Sequence, residues 1–171
     1  NVALRTQRNV GISWGIYRDL GPDPAQYLED GTPSLNWEAA VGILISIDNK
    51  PAFGIGLEFV EDQIHIRQLQ GAVTFRDREA NLREWPRVSI ETCIDFARLS
   101  DTIREVRVYR ADQTPFYRDP VLIPRPGQSR DDAIADNRQR MRRRYDGTAR
   151  QLKMRATPTY YVWSRQESAQ A

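Results

Sequence analysis

Residues 41–71 read VGILISIDNKPAFGIGLEFVEDQIHIRQLQG, which is three apolar runs joined by two short polar turns. The first run, Val41–Ile47, is continuously apolar, a pattern typical of a strand buried on both faces. The second and third runs alternate large apolar residues with small or polar ones. Side chains that alternate in this way point to opposite faces of a sheet. The stretch therefore predicts a three-stranded antiparallel meander over residues 41–69.

Further elements are predicted downstream of the meander. Apolar residues at helical spacing predict an amphipathic helix over residues 86–100. A second helix is predicted to begin at Asp131 and Asp132, because acidic residues are favoured at the positive end of a helix. Strands are predicted over residues 103–109 and 159–163. A helix followed by a strand suggests a crossover that returns parallel to an earlier strand. The sequence thus predicts an α+β or α/β fold with a mixed central sheet.

The remaining segments are less regular. Residues 9–20 fit either a strand or a helix, and residues 25–36 predict a loop with at most one helical turn. Residues 111–130 contain too many prolines for regular structure. A loop of this length could shape a substrate cleft or dock a partner.

Composition limits the class of protein. The chain has 171 residues, is 40% hydrophobic and 28% charged, and has a formal net charge of +2. These values are ordinary for one globular domain. We expect that domain at residues 41–163, with residues 1–40 completing or flanking it and a flexible tail at residues 164–171. Cys93 is the only cysteine, so no internal disulfide can form and a cytoplasmic location is expected. No apolar run approaches the roughly 20 residues that span a membrane, so no membrane partner is expected.

The basic residues are almost all arginine, since Lys50 and Lys153 are the only lysines. Arginine binds phosphates and carboxylates through paired hydrogen bonds, although GC-rich codon usage produces the same bias. Four arginines of the predicted second helix could bind nucleic-acid phosphates: Arg138, Arg142, Arg143 and Arg144. The alternative is a solvated helix face balanced by neighbouring acids, which the near-neutral net charge favours.

A short motif ends the third strand of the meander. It reads Gln68-Leu69-Gln70-Gly71-Ala72. In this order of elements it resembles the Gln/Arg-x-x-Gly-x-Gly/Ala loop of the GNAT N-acyltransferase superfamily. The resemblance implies that backbone N–H groups of the loop hold the diphosphate of acetyl-coenzyme A or another acyl-coenzyme A. Taken alone, the segment could equally be a strand-ending turn that needs its glycine for the backbone angle.

A second motif lies in the predicted second helix. Tyr145, Ala149 and Leu152 match the GNAT segment Tyr-x-x-x-Ala-x-x-Leu, so the resemblance covers roughly residues 40–163. It implies a GNAT-like mixed sheet, in which a meander is followed by helix, strand, helix and strand. It also implies that Tyr145 protonates the departing coenzyme thiolate. The alternative is a core tyrosine on the apolar stripe of the helix.

Two further residues are candidates for proton transfer or metal binding. Glu58 lies mid-strand among apolar neighbours, where partial burial would let it accept a proton from an amine. Alternatively, it faces solvent or pairs with an arginine. His65 alternates with apolar residues, so we expect it on the strand surface. One histidine and one distant cysteine provide no constellation for a metal site.

Two functions are consistent with these features. The first is an acyl-coenzyme A-dependent N-acyltransferase acting on an amine, with Glu58 as base and Tyr145 as acid. The second is a catalytically inactive GNAT-like module that binds nucleic acid or a protein partner through the arginines of the second helix. The family admits the coenzyme through a gap between strands. A separation of the strands around residues 59 and 66–68 would favour the enzyme, and a continuous ladder would favour the binding module.

Overall fold

The computed structural model describes residues 12–18, 26–27, 33–35, 39–47, 50–71, 84–120, 124 and 126–165. The strands are β1 (Ile12–Arg18), β2 (Gln26–Tyr27), β3 (Pro33–Leu35), β4 (Val41–Ile47), β5 (Lys50–Val60), β6 (Gln63–Gly71), β7 (Glu105–Tyr109), β8 (Arg155–Ala156) and β9 (Tyr160–Ser164). The α-helices are α1 (Trp85–Leu99), α2 (Pro115–Arg118), α3 (Arg130–Arg142) and α4 (Thr148–Gln151). A 3₁₀ turn (Ala111–Gln113) follows β7, and a π-helical turn (Arg143–Gly147) joins α3 to α4.

Seven strands form one mixed sheet in the order β1-β4-β5-β6-β7-β9-β8. β4, β5 and β6 pair antiparallel, which confirms the predicted meander. β7 then lies parallel to β6, and β9 lies antiparallel to β7. The crossover between β6 and β7 contains α1, as the helix-then-strand order predicted. The predicted fold class, a mixed sheet with helices in this order, is confirmed.

The first forty residues contribute strands to the structure. β1 pairs antiparallel with β4 along its length, so residues 12–18 form a strand and not a helix. β2 and β3 pair with each other in a separate two-stranded sheet. The prediction of a loop with at most one helical turn at residues 25–36 is therefore wrong in part. Pairing between two short segments decides their conformation, and such short strands have no periodicity to read.

One face of the sheet carries the hydrophobic core. α1 buries the residues that its spacing predicted, Ile90, Cys93, Ile94 and Ala97. They pack with buried strand residues that include Ile64, Ile66, Val106 and Val108. Each fully buried aliphatic side chain of this kind stabilises the fold by about 1.5–3 kcal/mol. Because α4 contacts α1, both helices cover the same face of the sheet.

α3 begins at Arg130, next to the predicted start at Asp131, and its buried face includes a polar residue. The Ser129 Oγ accepts a hydrogen bond of 3.1 Å from the Asp132 N–H and caps the helix. Met141 is buried. Ile134 is only half-buried, whereas Asn137 is buried with its amide nitrogen 3.6 Å from the Met141 sulfur. The apolar pattern missed Asn137 because a polar side chain with an internal partner can occupy a core position.

The segment after β7 contains more regular structure than its prolines suggested. The 3₁₀ turn Ala111–Gln113 and the short helix α2 interrupt the predicted loop at residues 111–130. Pro115 opens α2, where its missing N–H has no intrahelical partner to lose. Of the expected flexible tail, only residues 164 and 165 are described. Arg165 donates hydrogen bonds to the carbonyls of Ala97 and Ser100 at the end of α1.

Candidate functional site

The sheet opens on one edge of β6. The parallel pairing between β6 and β7 covers residues 63–66 of β6 and residues 105–108 of β7. β6 continues to Gly71, and its other edge remains paired with β5 as far as that residue. The edge of β6 that faces β7 is therefore left to other partners over residues 67–71. We call this opening the β6–β7 gap.

The meander itself does not open. The β5–β6 ladder is continuous except for a β-bulge at Arg67, which lies between the pairs Gly56–Gln68 and Leu57–Ile66. The separation around residues 59 and 66–68 that would favour the enzyme is thus absent from the described ladder of these two strands. A bulge bends the strand that carries it and alters the direction of its side chains. The β6–β7 gap begins at this same bulge.

Tyr145 lies at the β6–β7 gap. Its Oη accepts a buried hydrogen bond of 2.7 Å from the Leu69 N–H. Both side chains belong to the hydrophobic core cluster. The structure therefore brings together the tyrosine and the strand-ending segment that the GNAT resemblance marked separately.

Arg144 contacts the same strand residue as its neighbour Tyr145. Its Nη1 donates a hydrogen bond of 3.0 Å to the Leu69 carbonyl. The guanidinium carbon lies 5.2 Å from the ring centroid of Trp85, which in turn stacks on Phe53 at 4.9 Å. Burial lowers the pKa of Arg144 from its usual value. Both backbone polar groups of Leu69 are therefore occupied by consecutive residues of one turn.

The π-helical turn Arg143–Gly147 makes contacts on both sides of the β6–β7 gap. It contacts β6 through Arg144 and Tyr145, as described above. Its next residue, Asp146, is buried and accepts a hydrogen bond of 3.0 Å from the Ala111 N–H, just beyond β7. π-turns are rare and occur frequently at functional sites. This turn replaces the strand-to-strand hydrogen bonds that β6 and β7 no longer make.

The predicted coenzyme loop is only partly described, because Ala72 lies outside the described residues. Gln68 is buried, and its Nε2 lies 2.6 Å from the Oε1 of Gln70. Gly71 belongs to β6, and among the described glycines only Gly127 has a positive φ. The alternative that Gly71 is needed for a left-handed backbone angle is therefore wrong.

Glu58 lies on the other face of the sheet from Tyr145. Its neighbour Leu57 belongs to the core, and successive side chains of a strand point to opposite faces. The Glu58 Oε1 is 2.6 Å from the Nη1 of Arg67, with both side chains partly exposed. The structure therefore pairs this candidate base with an arginine and does not bring it to the candidate acid.

His65 is buried, so the prediction of a surface position is wrong. Its exposed fraction is 7%, because the rings of Tyr109 and Tyr160 lie 6.4 and 5.3 Å from its own. Burial, followed by the charge of Arg107, lowers the pKa of His65 below its usual value. The alternation around His65 showed which face it occupies, but the tyrosines come from β7 and β9. The two tyrosine rings reach His65 only because β6, β7 and β9 lie side by side in the sheet.

The four arginines proposed for nucleic-acid binding do not form one surface. The guanidinium carbons of Arg138 and Arg142 lie 5.4 and 5.5 Å from the ring centroid of Tyr117. Arg143 is exposed, and Arg144 contacts Leu69 instead. Two of the four, Arg142 and Arg143, are exposed.

The described residues also bear on metal binding and on membrane insertion. Among them, no group of three or more His, Cys, Asp or Glu side chains could hold a metal ion. Nor does any helix in the described ranges have the length and apolar character needed to cross a membrane.

Similarity to known proteins is weak. No protein-family model and no curated protein matches the chain. Among solved structures, the chain is similar to N-acetylglutamate synthase from Neisseria gonorrhoeae complexed with coenzyme A and N-acetyl-glutamate, with 13% identity and a TM-score of 0.34. The likeness covers 71% of this chain and 24% of that protein. A likeness at this score supports no argument about function, which must come from the geometry.

Proposed function

We propose that this protein is an acyl-coenzyme A-dependent N-acyltransferase that acts on an amine. One observation carries the proposal: the Tyr145 Oη lies 2.7 Å from the Leu69 nitrogen, at the point where β6 and β7 part. The GNAT resemblance marks these two residues separately, one for the thiolate acid and one for the coenzyme loop. The two roles need both residues close to the same thioester, and their contact supports that arrangement.

The β6–β7 gap suits an extended ligand that contains amide groups. Beyond the bulge, Leu69 directs its N–H and C=O to the side where β7 is no longer paired. An extended arm can add to such a strand edge through main-chain hydrogen bonds. Entry requires Arg144 and Tyr145 to release Leu69, since both backbone groups are occupied in this structure.

In the reaction, the amine nitrogen attacks the thioester carbonyl carbon and the carbon–sulfur bond breaks. The nitrogen loses one proton and the sulfur gains one. Tyr145, once released from Leu69, holds its proton at Oη and donates it to the sulfur. The amine proton passes to water, because Glu58 is paired with Arg67 and lies on the other face of the sheet. Water then returns a proton to the Tyr145 oxygen, so that the net change is the transfer of one proton from nitrogen to sulfur.

Calorimetric titration with acetyl-coenzyme A, followed by a thiol-release assay with a panel of amines, tests the proposal. We expect saturable binding and a rise in melting temperature, since a ligand at 100 times its dissociation constant stabilises a protein by about 2.7 kcal/mol. Tyr145→Phe should lower the rate of acyl transfer, whereas Tyr161→Phe, which loses a hydroxyl bonded to Arg150, should not. If millimolar acyl-coenzyme A gives neither heat nor a thermal shift, the proposal fails.

The binding module remains a second proposal, favoured by a different observation. The β5–β6 ladder is continuous apart from its bulge, and Tyr145 and Arg144 bond to both backbone groups of Leu69. Binding would then depend on the exposed Arg142 and Arg143. Fluorescence polarisation with short DNA and RNA at two salt concentrations tests it, because phosphate contacts weaken as salt rises. Absence of binding at low salt, or equal binding by Arg142→Gln, would exclude this use of the arginines.

A further inference from the structure

Among the described residues, no carboxylate forms an ion pair with Arg144. Other arginines of the described residues form ion pairs with carboxylates, and these include Arg67, Arg87, Arg98, Arg107 and Arg110. In the part of the chain that the structure describes, no carboxylate lies within ion-pair distance of Arg144. Its hydrogen bond goes to an uncharged group, the Leu69 carbonyl. A carbonyl dipole offsets only part of a full positive charge.

The surroundings of Arg144 make this arrangement costly. The side chain is half-buried against the indole of Trp85, which is backed by Phe53. The charge of Arg140, which has the same sign, lowers the pKa of Arg144 further. A guanidinium nevertheless stays protonated in proteins. Withdrawing part of such a charge from water is unfavourable unless a partner compensates it.

The geometry of Arg144 leaves donors available in a defined plane. A guanidinium has five N–H donors in a fixed fork, and the bond to Leu69 uses one of them. The contact with Trp85 and the bond to Leu69 together hold the plane in place. A fork held in this way binds two oxygens of one carboxylate or phosphate at once. Trp85 is itself half-buried and forms a wall beside the guanidinium.

We propose that Arg144 and Trp85 form a binding site for an oxyanion group, carboxylate or phosphate, of a ligand that enters the β6–β7 gap. The identity of that ligand rests on the proposed function. Under it, the oxyanion is either a phosphate of the coenzyme or a carboxylate of the acceptor amine. Binding would neutralise Arg144 at the edge of β6.

The first test measures anion binding without any acyl transfer. Pyrophosphate and glutarate are titrated into the full chain, with melting temperature and tryptophan fluorescence as readouts. At least one of them should stabilise the protein, and Arg144→Gln should weaken its binding at least about tenfold, the loss of roughly one charge-assisted hydrogen bond. Arg130→Gln, which removes an exposed arginine at the start of α3, is the matched control. If neither anion binds, or if Arg144→Gln binds it as the wild type does, the inference is overturned.

Two further comparisons separate this inference from the proposed function. Arg144→Lys keeps the charge but loses the fork, so we expect intermediate affinity, and it replaces Arg144→Gln if that variant does not fold. In acyl transfer, a rise in KM for acyl-coenzyme A alone assigns the site to phosphate. A rise in KM for an acidic amine, but not for its uncharged analogue, assigns it to carboxylate. If the protein binds an anion but transfers no acyl group, the proposed function is overturned and the site is supported. If Arg144→Gln transfers the acyl group with unchanged KM values, the site alone is overturned.

Discussion

Leu69 and Tyr145, 76 positions apart in the sequence, are joined by a buried hydrogen bond in which the Leu69 N–H donates to the Tyr145 Oη at 2.7 Å. At Leu69, β6 is no longer paired with β7. The tyrosine therefore binds the Leu69 N–H, which would otherwise bond to a neighbouring strand. Arg144 does the same for the carbonyl of Leu69. The turn that carries the candidate acid is therefore also a structural part of the sheet.

Tyr145→Phe should reduce stability even without any ligand. The substitution removes the acceptor of the Leu69 N–H, and an unpaired buried donor costs about 1–3 kcal/mol. Urea unfolding measures the loss. Tyr161→Phe is the control, because the partner of its hydroxyl, Arg150, is exposed and can bond to water. Equal stability of Tyr145→Phe and the wild type would show that the bond contributes nothing.

Asp146 should be needed for the position of the π-helical turn. Asp146→Ala leaves the buried Ala111 N–H without its acceptor, which should cost about 1–3 kcal/mol. Asp146→Asn keeps an acceptor oxygen and should lose less. Asp101→Ala, at an exposed position, controls for removal of a negative charge. If the alanine and asparagine variants unfold at the same urea concentration, the Ala111 contact is not the cause.

Two glycines of the meander should respond differently to alanine. A Cβ at Gly56 would lie 2.8 Å from the Cβ of Gln68 and 2.9 Å from the Cβ of Ala39, so we expect Gly56→Ala to destabilise the fold by about 1–3 kcal/mol. At Gly71 the nearest atom among the described residues would be 4.0 Å away, on Trp85, so stability should change by no more than about 0.5 kcal/mol. Thermal unfolding compares the two variants. A reversed order would contradict the packing around Gly56.

Gly71→Ala also tests the coenzyme loop. Because this variant should fold normally, any loss of affinity for acyl-coenzyme A would come from the ligand's approach to the backbone. Calorimetric titration of the variant and the wild type measures the difference. Unchanged affinity would show that the ligand does not come close to the Gly71 backbone.

His65 should make stability depend on pH. Burial and the neighbouring Arg107 lower its pKa in the folded state, whereas the unfolded chain takes up the proton near 6.5. The unfolded state therefore binds more protons between these two values. The contribution of His65 is complete above pH 6.5 and is lost as the pH falls from there towards the folded pKa. Urea unfolding at about pH 7.5 and about pH 5.5 measures the loss.

His65→Gln is the matched variant for this pH dependence, since glutamine does not titrate. Glu58 and Glu105, which raise the pKa of His65, and Arg67, which lowers it, remain in both proteins. The free energy of unfolding is plotted against pH for both proteins, and the difference between the two slopes comes from the histidine. Parallel slopes for the wild type and His65→Gln would show that the pKa of His65 is not lowered by folding.

Cys93 should be unreactive in the folded protein. Burial raises the pKa of its thiol to about 12, and the thiolate is the reactive form. Alkylation by iodoacetamide should be slow in buffer and fast in denaturant, as mass spectrometry would measure. Rapid alkylation of the native protein would indicate that α1 opens easily from the sheet.

The order of the main elements could be predicted because their signals are local. Alternation in residues 41–69 and helical spacing in residues 86–100 each follow from the repeat of one element. Segments that lack such a repeat were predicted less well. β2 and β3 depend on each other, and α2 begins at a proline that the sequence suggested would end regular structure.

The sequence by itself determined the mixed sheet, its meander and the residues that face the core, because periodicity records which side of a strand or helix is apolar. It also marked Tyr145 and the segment that contains Leu69, through their resemblance to a family. Only the tertiary structure decided that these two residues touch, that Glu58 pairs with Arg67, and that His65 is covered. Hydrogen-bond partners and burial depend on which distant strands and turns meet, and no local repeat encodes that meeting.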